Sequence, residues 1–430
     1  MIENSKNLLR AVLKRSVSQV QDCIIDGEDP YFKDKYGRNY LHLSVYLRSN
    51  ELVEHFLSTG LDVNEADDQQ VTALHRACRS GCDDIVETLL RCGAHINAKA
   101  ADSVTPLHIA AAFGHEKCVR TLCSKKWPVD INCIDKSRHT PLHFAAAEGH
   151  TQAAAALISH ECDVDAVNVC GNRPLHFAAT SGTPELCQLL VRNGANIDAR
   201  NSSSQTPLHF ATQQACSQTV LCLLNVGADP NVTDIRGNTC SHLAIKNGNI
   251  DLLKIFMMDP RTDPSISDSE NNTVLHVALK LGHHNLIPMM LPRARDLTRQ
   301  DGSGCSVIIE AIKNQLEDLA LEMLIACPSL VHTATHDRVT PLHLAAERGM
   351  TNLTKQLLIA GAQVDAEDAS GLTPSLYCAK NDSVLECLAM IEDIMMVTDN
   401  NINDSEEDNN KQHTQHIRGN HSIMSSRISS

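Results

Sequence analysis

The sequence predicts an all-α fold, a solenoid of about twelve stacked helix pairs joined by hairpin tips, and three features carry that expectation. First, an eleven-residue pattern recurs: TALHRACRSGC from Thr72, TPLHIAAAFGH from Thr105, TPLHFAAAEGH from Thr140, RPLHFAATSGT from Arg173, TPLHFATQQAC from Thr206, TVLHVALKLGH from Thr273 and TPLHLAAERGM from Thr340. Second, its histidine falls at 42, 75, 108, 143, 176, 209, 242, 276 and 343, a period of 33 to 35 residues with one double step of 67. CSVIIEAIKNQ from Cys305 fills that step with Ile309 in place of histidine, and Leu9 and Leu376 hold the position in the first and last copies. Third, glycine, a second apolar run and a polar hairpin follow the pattern at constant phase. A catalytic constellation is not copied at fixed period, so these histidines and glutamates belong to a building block.

Each part of the unit answers a need of a helix pair. Threonine before the first helix is suited to its orphan N–H groups, and proline at the first helical position lacks an N–H that would have no partner. Leu142 with the small pair Ala145 and Ala146 marks a face that a second helix can approach closely, and Gly149 suits a left-handed turn. Runs such as DDIVETLLR and EKCVRTLCS repeat apolar residues at i, i+3 and i+4 and read as the second helix. The histidine is expected to bridge backbone and the capping threonine. Residues 1–33 read as an N-terminal capping repeat, 34–395 as about eleven further units, and 396–430 as a disordered polar tail.

Three places break the pattern. CSKKWPVDIN, residues 123–132, is two residues longer than its counterparts and holds the only tryptophan, Trp127, which either meets a partner or folds back on its own unit. From 259 to 306, Pro260, Pro264, Pro288 and Pro292 interrupt the pattern; Pro288 is expected to kink a second helix, and the region to change the solenoid's curvature as a hinge. The tail from Asp399 is acidic at first and unpatterned.

A net charge of −15 argues against nucleic acid, and no apolar run reaches the length of a membrane span. The start, MIENSKNLLRAVLKRS, lacks the apolar core of a signal peptide. The seventeen cysteines include no C-x-x-C pair, and most fall on helix faces, so they predict reduced thiols in a cytoplasmic chain with access to the nucleus, without metal or cofactor.

The recurrent TPLH, alanine pair, glycine and hairpin resemble the ankyrin repeat over residues 1 to about 395. That resemblance implies a noncatalytic interaction scaffold. PSLYCAKNDSVLECLAMIEDIMM, residues 374–396, closely resembles the terminal repeat of the large ankyrin subunits of protein phosphatase 6, and TALHRAC and VCGNRPLHFAA are similar to that family's first units. Those relatives carry more than twice as many repeats, so the resemblance implies a shortened relative touching phosphatase 6 regulatory subunits. The alternative is an adaptor for an unrelated cytoskeletal, membrane-trafficking or signalling partner.

In ankyrin modules the partner meets residues before the unit's glycine and residues at the hairpin tips. Here those positions hold Tyr36, Tyr46, Leu47, Arg79, Phe113 and Arg138, and with Trp127 they form the candidate partner-binding set, concentrated in the first four units. Two modification sites are expected. Asn97 follows Leu89 by eight residues, which resembles substrates of the cytosolic asparaginyl hydroxylase, with an ordinary hairpin bond as the plainer role. Ser405 precedes Glu406, Glu407 and Asp408, a pattern suited to acidophilic kinases.

Overall fold

The computed structural model describes residues 6–378 and 386–394, and the predicted disordered tail and Ser405 lie outside them. The chain divides into two compact units, one ending at Arg261 and the other beginning at Thr262, a boundary inside the proline-interrupted stretch. In the first unit, helices Lys6–Leu13 and Val17–Ile25 make the capping pair, and six full pairs follow from Tyr40–Tyr46 with Asn50–Ser58 to Pro207–Gln213 with Ser217–Asn225, then Cys240–Lys246 with Ile250–Met258 completes the series. Within this unit the first helix of each repeat packs on the first helix of the next and the second on the second. Leu142, Ala145 and Ala146 are fully buried at that contact, as the small-residue face predicts.

The repeated histidine is the staple of the stack. Its Nε2 meets a carbonyl of the following repeat: His75 with Val104 at 3.2 Å, His108 with His139 at 3.0 Å, His176 with Gln205 at 3.1 Å. A carbonyl only accepts, so Nε2 carries the proton and Nδ1 is left as an acceptor. At His75, Nδ1 then accepts from both the Thr72 backbone N–H at 3.2 Å and the Thr72 hydroxyl at 2.9 Å. The threonine hydroxyl thus donates to the ring, the bridge the sequence suggested, and it also accepts from the histidine's backbone N–H in the helix's first turn. Burial pushes His75, His143 and His176 down to about 4, against a partial upward pull from their carbonyl partners.

The predicted β-hairpin tips are turns rather than strand ladders: among the described residues the only β pairings are isolated bridges such as Ala66 with Thr72. An Asp or Asn side chain closes most of the turns locally, with Thr335 in that place at one tip. Asp234 Oδ1, for example, accepts from Arg236 N and Asn238 N, both at 2.8 Å. Within the first unit one backbone bond ties each tip to the next, as from Asp68 N to Tyr36 O at 3.1 Å and from Lys136 N to Asp102 O at 2.9 Å. With local closure and one bond per neighbour, backbone polarity is satisfied without a sheet.

Gly81 shows why the helix-ending glycine recurs. Its φ is +71°, and a Cβ there would lie 2.6 Å from Nδ1 of His115, the residue that crosses from the following unit. Both the left-handed backbone and the close approach exclude a side chain. In the second unit, Pro288 does break its helix, leaving the short pieces His284–Leu286, Ile287–Met290 and Leu291–Arg293.

Candidate protein-interaction surface

Among the described residues most of the cysteines and the repeated histidines are buried in the scaffold. All seventeen cysteines are unpaired, and burial pushes Cys118, Cys123 and Cys187 up to about 12, so they remain thiols that pack as small apolar groups. Asp301, Cys305 and Glu310 bring potential ligand atoms within 4.8 Å of one another. Lys280 Nζ already sits 2.7 Å from Asp301 Oδ2, and Lys313 Nζ sits 2.9 Å from Cys305 Sγ. A metal ion there would face two ammonium charges, which does not suit the donor set.

Among the described residues the exposed aromatics are concentrated near the amino end. Tyr31, Phe32, Tyr36, Tyr46 and Phe113 are exposed aromatics, and Tyr46 keeps 72% of its surface accessible on the last turn of Tyr40–Tyr46. Beneath Tyr46 lies a cleft of about 320 Å³ between the capping pair and the next unit, lined by Leu9, Phe32, Tyr40, Leu43, Arg38 and Arg76. Arg38 joins cleft to tip: its guanidinium lies 4.8 Å from the centre of the Tyr36 ring, with the Lys35 ammonium at 4.9 Å.

The predicted contact residues fall into three groups. Tyr36 and Tyr46 share the neighbourhood of Arg38 and form one patch. Arg79 and Phe113 form a second, the guanidinium 5.2 Å from the ring centre, while the Arg79 carbonyl accepts from His115 Nε2 at 3.0 Å and Phe113 stacks on His115. Leu47 is half-buried beside Tyr46, and Arg138 is exposed at a tip with φ of 62°, a glycine's place in other tips. Trp127 stands apart. It is half-buried, and helix Glu116–Leu122, about 10 Å long, separates it from Phe113. Lys126 of the lengthened loop lies 3.6 Å from Glu87 of the preceding repeat.

Asn97 is exposed and bonds the next unit rather than its own hairpin. Its Nδ2 donates to Pro128 O at 3.1 Å and its Oδ1 accepts from Asp130 N at 3.0 Å. Asn64 makes the same clamp one unit earlier, to Gly93 O and His95 N. Phe32, Leu43, Lys35 and Arg48 complete the amino-terminal surface and were not singled out from the sequence. The available signal was YFKDKY, residues 31–36, which holds three of the chain's thirteen Phe, Trp and Tyr residues.

The family model described as ankyrin repeats (3 copies) matches residues 8–100, 99–168, 156–234, 214–301, 241–327 and 308–404. Among solved structures, the crystal structure of the human ASB11 ankyrin repeat domain is similar at 25% identity and a TM-score of 0.48, covering 52% of this chain and 98% of that one. With the family model matching residues 8–404 in overlapping segments, the protein belongs to the ankyrin-repeat family, a fold that typically serves protein–protein interaction rather than catalysis.

Proposed function

We propose that this chain is a noncatalytic scaffold, acting in the cytoplasm and nucleus, that engages a protein partner through its amino-terminal third. The observation that carries the reading is the cluster of exposed Tyr36, Tyr46 and Phe113 beside Arg38 and Arg79, because aromatic and arginine side chains dominate the energetics of protein interfaces. The resemblance of residues 374–396 to the terminal repeat of phosphatase 6 ankyrin subunits supports the regulatory subunits of that phosphatase as the partner class. Affinity purification of the full chain with mass spectrometry tests both levels. Phe113→Ala or Tyr46→Ala is expected to cost about 2 kcal/mol of binding and to deplete the captured partner. Unchanged recovery in both variants refutes the amino-terminal surface, and depletion in Trp127→Ala alone moves the contact to the opposite end of the second helices. A capture without phosphatase subunits refutes that partner class and leaves the scaffold.

A further inference from the structure

We infer that the cleft under Tyr46 receives one large apolar side chain from an acidic peptide segment of the partner. The inference rests on the amino-terminal surface proposed above and names the chemistry of its occupant. A volume of about 320 Å³ lies at the small end of binding pockets, room for one or two side chains rather than a cofactor. Leu9, Phe32, Tyr40 and Leu43 supply the apolar walls and so favour an apolar inserted group, the one lining carboxylate, Asp34, is paired with Arg38, and Tyr46 stands exposed at the mouth where an occupant would bury it.

The charge of the occupant follows from the surroundings. The chain as a whole carries −15, yet Lys35, Arg48 and Arg79 are all exposed on this side. Arg48 follows Tyr46 by two residues, and Arg79 takes the Tyr46 register one repeat later. Among the described residues none of these three cations is in an ion pair, whereas Lys33, Arg38 and Arg76 are paired with Glu65, Asp34 and Asp67. Two cleft-lining residues also hold buried polar atoms without a partner among the described residues, Tyr40 Oη and Arg76 Nε. An apolar anchor flanked by acids satisfies the apolar walls and the cationic rim together.

The test uses the full chain and a short fluorescein-labelled peptide of aspartates around a single phenylalanine, read by fluorescence anisotropy. Saturable binding that weakens with added salt is expected, with about a tenfold loss when the phenylalanine is replaced by alanine and a comparable loss when the aspartates are replaced by lysines. Tyr46→Ala and the surface double variant Lys35→Glu with Arg79→Glu should each weaken binding about tenfold while the circular dichroism spectrum stays that of the parent. Equal affinity for the phenylalanine and alanine peptides, or no binding, overturns the inference. If Tyr46→Ala still depletes the captured partner in that case, the amino-terminal surface stands and only the acidic, anchored occupant is lost.

Discussion

Mild acid should unzip this solenoid well before its carboxylates protonate. The staple histidines act as neutral rings whose Nδ1 accepts two bonds, and protonation converts that acceptor into a donor facing two donors. Burial holds His75, His143 and His176 at about 4 in the folded chain, against an ordinary value of 6.5. Because the folded value is the lower, the contribution is complete above pH 6.5, falls as the pH drops below it, and is exhausted below about 4. At pH 5 each ring costs about 2 kcal/mol relative to neutral pH, so the three together cost about 6 kcal/mol, comparable with the whole stability of many domains. The assay is urea unfolding followed by far-ultraviolet circular dichroism at pH 7.5 and pH 5, with histidine ring resonances titrated by NMR under folding conditions. His143→Gln removes one titrating group and should reduce the difference between the two pH values by about 2 kcal/mol. A urea midpoint unchanged between the two pH values, or folded-state rings that titrate near 6.5, refutes the staple as described.

Ala215 takes a left-handed turn with φ of 56°, the place glycine holds in most other units, so Ala215→Gly is expected to raise stability by about 1 kcal/mol; a lower urea midpoint in the variant contradicts this. Coexpression with the asparaginyl hydroxylase is expected to add about 16 Da, one oxygen atom, to the tryptic peptide holding Asn97, after opening a clamp of two hydrogen bonds worth about 1 kcal/mol each. An Asn97 peptide of unchanged mass removes the site. Ser405 is expected to be phosphorylated in cells, seen as a loss of about 80 Da in intact mass on phosphatase treatment and assigned by peptide sequencing; an intact mass indifferent to phosphatase rejects it.

The repeat could be read from the chain because its causes are local. Proline at the start of a helix, glycine at φ +71° and leucine with paired alanines each impose their geometry within a few residues, and a strict period places every copy in the same environment. The interruption at Pro288 was legible for the same reason. Histidine's destination was not, since its Nε2 partner lies 29 residues away, in a repeat that stacking alone brings near. The same holds for Asn97, which the sequence places in a hairpin and stacking binds to the next unit's Pro128 and Asp130. The long loop left Trp127 open between a partner contact and folding back on its own unit, and only the packed structure shows the indole half-buried, with Lys126 3.6 Å from Glu87 of the neighbouring second helix. The cleft under Tyr46 exists only where the capping pair meets the next unit, so Leu9 and Phe32 become a binding wall through packing between segments, whereas pattern and propensity determine the solenoid itself.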